Sequence, residues 1–162
     1  ANIMKKTDGK FTTICHEVAK DYPEIQADDW YIDIMTANLV NPAIRSQFQV
    51  FVLPNLYGDI ITDEAAQIQG GVGTAGSANM GDRYAMFEAI HGSAPRMIAE
   101  GLGDYANPES ILKALCLLLR HICRGEAAAQ LEKAMDACPV KVTGEKSGAT
   151  ARAYTEKLLT LL

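Results

Sequence analysis

No apolar run in this 162-residue chain approaches the length needed to span a bilayer. No basic tract supplies the electrostatic footprint of a nucleic-acid binder. The first residues do not resemble a signal peptide. Internal repeats and low-complexity linkers are lacking as well. Cys15, Cys116, Cys123 and Cys138 form no CxxC pair, so zinc-ribbon spacing is absent. Cys116 and Cys123 stand seven apart on a predicted helix, which places both on its buried face. The four read as plain core thiols in a reducing cytoplasm. These absences leave a cytoplasmic globular protein with neither membrane nor nucleic acid as partner.

What is present fits that class. The chain is 48% hydrophobic and 22% charged, with a net charge of −5, and it is long enough to bury a core. Ala1 is not an initiator methionine, and Asn2-Ile3-Met4 reads as the end of a strand already under way. The chain therefore reads as a fragment or a processed piece. Apolar spacing predicts a helix over residues 10–20, ended by Tyr22-Pro23, and a second over 32–40, closed by Asn41-Pro42. The run Gln49–Leu53, QVFVL, predicts a buried strand. A helix over 59–69 follows, closed by Gly70-Gly71. A Gly/Ala/Ser/Asn-rich loop then runs to Gly81, and Tyr84–Ile90 predicts a strand. Helices are expected over 109–123, 126–137 and 149–162. Strands alternating with helices argue an α/β fold.

The sharpest chemical feature is Asn55-Leu56-Tyr57-Gly58-Asp59-Ile60-Ile61-Thr62-Asp63. Asp59 and Asp63 are four apart, so a helix puts both carboxylates on one face, here in its first turns after a strand. Ligands gather at the carboxyl ends of strands in such sheets. Two unpaired like charges repel, and carboxylate oxygens around Mg²⁺ or Mn²⁺ remove that penalty. The competing reading is that acids at a helix N-terminus merely complement its dipole. Asp33 is a third acidic candidate that taken alone reads as a helix cap. Gly71-Val72-Gly73-Thr74-Ala75-Gly76 matches GxGxxG, but it follows a helix rather than a strand. It reads as a glycine-rich turn that could still line a cofactor site. His91-Gly92-Ser93-Ala94-Pro95 follows a strand, where backbone N–H groups could hold a phosphate or ribose; a structural histidine is the alternative. Arg96, just beyond, either faces a phosphate or is solvated. His16 and His121 read as structural, and Gly81-Asp82 and Asn107-Pro108 as turn and cap chemistry.

In this order the pieces resemble the isocitrate/isopropylmalate dehydrogenase family. The resemblance is carried by Asn2-Ile3-Met4-Lys5, the Asn55–Asp63 segment, Gly70-Gly71-Val72-Gly73 and Ser77-Ala78-Asn79-Met80-Gly81-Asp82. It continues through Phe87-Glu88-Ala89-Ile90-His91-Gly92-Ser93-Ala94-Pro95, Ala106-Asn107-Pro108 and Leu119-Arg120-His121. It implies the C-terminal portion of a two-domain layered αβα fold, with residues 1–65 in a small dimer-forming domain and 66–162 in a large cofactor-binding domain. It also implies a homodimer with a shared active site. Asp59 and Asp63 then resemble the metal pair of one subunit, and Asp33 the metal carboxylate lent by the other. Glu88, His91, Gly92, Ser93, Ala94, Arg96 and Asn107 resemble the region that holds the adenosine end of NAD or NADP. In the family the metal chelates the substrate α-carboxylate and hydroxyl, acts as a Lewis acid during hydride transfer to the nicotinamide, and stabilises the enolate left by decarboxylation.

Three details favour isocitrate over isopropylmalate: the opening Asn-Ile-Met-Lys, Ser-Ala-Asn-Met-Gly in the loop, and Phe-Glu-Ala before His91. Isopropylmalate, homoisocitrate and tartrate dehydrogenases remain alternatives, as does a non-catalytic subunit or fragment. Arg96 leans towards NADP, while Val142–Ala149 lacks the tyrosine and arginine that reinforce that choice in some members. Family members are longer on the N-terminal side. Their substrate-binding arginines, catalytic tyrosine and catalytic lysine are absent here, so this chain alone is expected to be inactive and to self-associate.

Overall fold

The computed structural model describes residues 4–162. Of the expected strand end at Asn2–Met4, only Met4 is therefore described. The chain forms two compact units, the first ending at Ile68 and the second running Gln69–Leu162. No helix among the described residues is long and apolar enough to cross a membrane.

The first unit is helical. Helix α1 (Asp8–Ala19) carries Asp8 in its first turn, where a negative charge complements the helix dipole. Helix α2 (Ile32–Leu39) buries Met35 and Leu39, one turn apart. Asn41 accepts from the Ala43 N–H and caps α3 (Pro42–Arg45), with Pro42 at the position where a missing N–H costs nothing. Helix α4 (Asn55–Gln69) buries Ile61 and Ala66. Trp30, Phe48 and Phe51 form a chain of aromatic contacts with centroids 5.6 and 5.3 Å apart. These rings, with Phe11, Val18 and Tyr22, line a mostly apolar cavity of about 380 Å³.

The expected strand at Gln49–Leu53 does not form. Its residues carry no regular structure, and Val50 and Val52 are 76% and 68% exposed. A strand exists through its ladder to a neighbour, and among the described residues none pairs with this segment. Helix α4 also begins four residues earlier than the sequence suggested. Gly58, just before the expected start, lies inside the first turn and donates its N–H to the Pro54 carbonyl at 2.8 Å.

The second unit contains an antiparallel hairpin of β1 (Gly76–Met80) and β2 (Ala85–Ala89), with Gly76 opposite Ala89 and Met80 opposite Ala85. The strand expected at Tyr84–Ile90 is thus present. The loop expected to reach Gly81 is in part β1, a polar strand defined by its pairing with β2. Helix α5 (Pro95–Ala99) follows the His91 loop, and α6 (Glu109–His121), α7 (Gly125–Ala137) and α8 (Ala151–Leu159) complete the unit. Helix α6 packs on both strands and on α7. The core joins Cys116, Ala128, Leu131, Ala134, Met135, Cys138, Tyr154 and Leu158. Arg120 and Glu132 close the α6–α7 pair with two hydrogen bonds of 2.7 and 2.6 Å. Cys123 departs from expectation. The helix stops at His121, and Cys123 sits exposed with φ 60°, so it does not share the buried face of Cys116.

Candidate functional site

Asp59 and Asp63 lie on the exposed side of α4. Because the helix starts at Asn55, they occupy its fifth and ninth positions rather than the first turn. The dipole effect fades within the first turn, so it cannot account for two acids this far in. Neither carboxylate has a hydrogen-bond or ion-pair partner among the described residues. Like charges at this spacing destabilise a helix by roughly 0.2–0.5 kcal/mol. The pair therefore presents bare, hard oxygen donors carrying a small uncompensated repulsion, which suits a divalent cation such as Mg²⁺ or Mn²⁺.

Asp33 lies in the first turn of α2, exposed, and accepts the Ile34 N–H at 2.9 Å. Tyr31, not Asp33, occupies the N-cap position. No group of three His, Cys, Asp or Glu side chains that could hold a metal forms among the described residues. Asp59 and Asp63 thus stand as a pair on α4, and Asp33 does not join them in such a group. Near this site, the Tyr57 hydroxyl donates to Asp8 at 3.1 Å. That hydrogen bond, and the carboxylate charge behind it, hold the phenol above its usual pKa. Glu64, next to Asp63, keeps one carboxylate oxygen buried without a partner, a feature that spacing gave no means of anticipating.

The second cluster is built around the end of β2. His91, Gly92, Ser93 and Ala94 form an exposed loop. His91 Nδ1 lies 3.0 Å from the Gly92 carbonyl. Ala94 adopts a left-handed conformation, φ 45° and ψ 57°, that turns the chain into α5. A Cβ at Gly92 would meet nothing within 4 Å, so the loop is open to a ligand on that side. Arg96 is 89% exposed and donates to Glu100 at 2.7 Å, a pairing visible in the i,i+4 spacing. Glu88 accepts from Asn79 across the hairpin at 2.8 Å. Asn107 accepts the Glu109 N–H at 2.9 Å in the turn that leads into α6, whose N-cap is Pro108. It also stands against the glycine-rich turn: a Cβ at Gly73 would lie 3.4 Å from that of Asn107. The first turn of α6 thus touches both the Gly71–Gly76 turn and the end of β2, where Ser110 binds the Ile90 N–H.

Residues 1–149 match the family model described as isocitrate/isopropylmalate dehydrogenase. The chain belongs to that family. It is 48% identical over 157 residues to an isocitrate dehydrogenase [NADP] of Rickettsia felis, covering 96% of this chain and 30% of that one. It is 46% identical over 136 residues to a 3-isopropylmalate dehydrogenase of Archaeoglobus fulgidus, covering 84% of this chain and 40% of the relative. The crystal structure of isocitrate dehydrogenase from Methylococcus capsulatus superposes with a TM-score of 0.85 at 36% identity, covering 99% of this chain and 48% of that one. The chain therefore spans between 30% and 48% of the length of these three proteins.

Proposed function

We propose that this chain supplies the metal-ligating helix and the adenosine-binding loop of a β-decarboxylating dehydrogenase that converts isocitrate to 2-oxoglutarate and CO₂ with NADP. The observation that carries the reading is the pair of bare carboxylates, Asp59 and Asp63, in mid-helix, where neither dipole nor partner offsets their repulsion. Their four oxygens would hold Mg²⁺ or Mn²⁺, with Asp33 of a second copy completing the set. When bound, the cation supplies Lewis-acid polarisation of the hydroxy acid and the nicotinamide supplies a hydride acceptor.

The remaining work of this chain is binding and orientation. His91, Gly92, Ser93 and Ala94 form the open loop that would receive the adenosine end, with Asn107 and Glu88 beside it. Arg96 would face a 2′-phosphate, a role in which it must exchange its bond to Glu100. The family relationship and the separate clustering of these residues support a division in which the first unit belongs to a dimer-forming domain and the second to a cofactor-binding domain. The identity to a 3-isopropylmalate dehydrogenase supports a second reading, in which the substrate is 3-isopropylmalate.

The test is turnover of isocitrate and of 3-isopropylmalate, with NADP and Mn²⁺, by the full-length protein and its Asp59→Asn variant. We expect isocitrate turnover that falls by at least about 10²-fold in the variant, with circular dichroism unchanged, because removing a metal oxygen weakens the transition-state charge stabilisation it supports. Equal Mn²⁺ dependence in both proteins would refute the metal assignment. Preference for 3-isopropylmalate would decide for the second reading.

A further inference from the structure

Ser110 is the one buried polar residue in the second unit's first helical turn of α6, with none of its surface exposed. Its hydroxyl accepts the Ile90 N–H at 3.1 Å and donates to the Ala75 carbonyl. A hydroxyl can do both at once. The hairpin ends with Gly76 opposite Ala89, so the next rung would pair Ala75 with Ile90. Ser110 instead inserts its oxygen between that amide and that carbonyl. It ends the ladder there and satisfies both backbone groups, which burial would otherwise leave at a cost of roughly 1–3 kcal/mol. The chain is released from the sheet at Ile90, and the next residue is His91. On the other strand, Ala75 belongs to the glycine-rich turn that Asn107 abuts.

We propose that Ser110 is a positioning residue for cofactor binding: its hydroxyl, wedged between Ile90 and Ala75, sets where the His91–Arg96 loop leaves the sheet relative to the Gly71–Gly76 turn. This rests on the reading of that loop as the adenosine site. Ser110 touches no ligand itself. It acts through the backbone at Ile90, one residue before the loop. Asn107 holds the same helix end through its bond to the Glu109 N–H, so the loop, the turn and α6 move as one piece only while the hydroxyl bridges them.

The test is residue-resolved amide hydrogen exchange on the 162-residue chain, comparing wild type with Ser110→Ala and Ser110→Thr, each with and without NADP. In Ser110→Ala, exchange at the Ile90 amide should rise by at least about tenfold, the factor one modest hydrogen bond represents. Leu131, Ala134 and Met135 in the core should change less than Ile90, and the NADP dissociation constant should weaken by a similar factor. Ser110→Thr, which retains the hydroxyl, should keep Ile90 protected. Unchanged exchange at Ile90 in the alanine variant would overturn the proposal, as would a uniform rise across the unit in both variants. A wild-type loop that gains no protection from NADP would overturn the adenosine-site reading, and the ligand-free comparison would still decide whether the hydroxyl holds the loop.

Discussion

Replacing Gly76 by alanine tests the packing that supports the cofactor loop. The backbone of α6 crosses Gly76 so closely that a Cβ there would stand 2.7 Å from the Lys113 carbonyl carbon and 2.8 Å from Ala114 Cα. Ordinary contact begins at 3.4 Å and the Ala114 amide nitrogen lies closer still, so β1 or α6 must retreat by about 1 Å. Both obstacles are helix backbone, which cannot rotate aside as a side-chain end can. Overpacking of this kind costs about 1–3 kcal/mol, and rigid obstacles place it near the top of that range. Against it stands the lower unfolded-state entropy of alanine, worth about 0.4–1 kcal/mol. The net expected loss is about 2 kcal/mol, or roughly 8–16 °C in melting temperature for a unit of this size. Thermal and urea unfolding followed by far-ultraviolet circular dichroism measure it. Trp30, the only tryptophan, reports on the first unit and should show no change. Gly92→Ala is the control, since a Cβ there meets nothing within 4 Å. Equal melting of Gly76→Ala and Gly92→Ala would refute the packing argument.

Arg96→Asp should weaken NADP binding by about ten- to a hundredfold, the worth of a charge-assisted hydrogen bond, and leave NAD binding nearly unchanged; equal effects on both would show that Arg96 does not discriminate. The Arg120 guanidinium holds the Glu132 carboxyl below its usual value of 4.5. That contribution is therefore present above pH 4.5 and is lost as pH falls through the lower folded-state value. Urea midpoints taken from pH 7 downwards should drop more steeply in wild type than in Glu132→Gln, and parallel slopes would count against the pair. The Tyr154 hydroxyl is fully buried without a partner, and burial pushes its phenol up to about 12. Tyr154→Phe should be neutral or stabilising by up to about 1 kcal/mol and should abolish the loss of stability that wild type shows as pH rises from 10 towards 12; a destabilised variant would reveal a bonded hydroxyl.

The helices were legible because apolar spacing is local information. Phe11, Ile14, Cys15, Val18 and Ala19 mark α1, and the mostly apolar 109–121 stretch, rich in Leu and broken by Lys113 and Arg120, marks α6. What was not legible depends on a partner. QVFVL has every property of a buried strand except a neighbour to pair with. Gly-Ser-Ala-Asn-Met has almost no strand propensity and is a strand because β2 lies beside it in register. The helix expected from Asp59 starts at Asn55 and takes Gly58 into its first turn. At the site, the spacing of Asp59 and Asp63 was readable, whereas Ser110 was not. Its two bonds span 20 and 35 residues, and one serine in a helix turn carries no mark of that reach.

The correction to the start of α4 strengthens the chemical argument. Had Asp59 stood in the first turn, both acids could have been local stabilisers and nothing more. Moved one turn inward, they lie beyond the dipole's reach, while Thr62, between them in sequence, spends its hydroxyl on the Gly58 and Asp59 carbonyls and not on a carboxylate. Position 63 is where a lysine would convert the i,i+4 repulsion into attraction. The energy at stake is a few tenths of a kcal/mol, too small to endanger the fold and far smaller than the stabilisation a bound divalent cation gives when it is present well above its dissociation constant. Two bare carboxylates on one helix face therefore leave the fold nearly indifferent to them, and the cation proposed for them would offset their repulsion. That asymmetry, not the motif alone, is the physical basis for treating α4 as a metal-ligating helix.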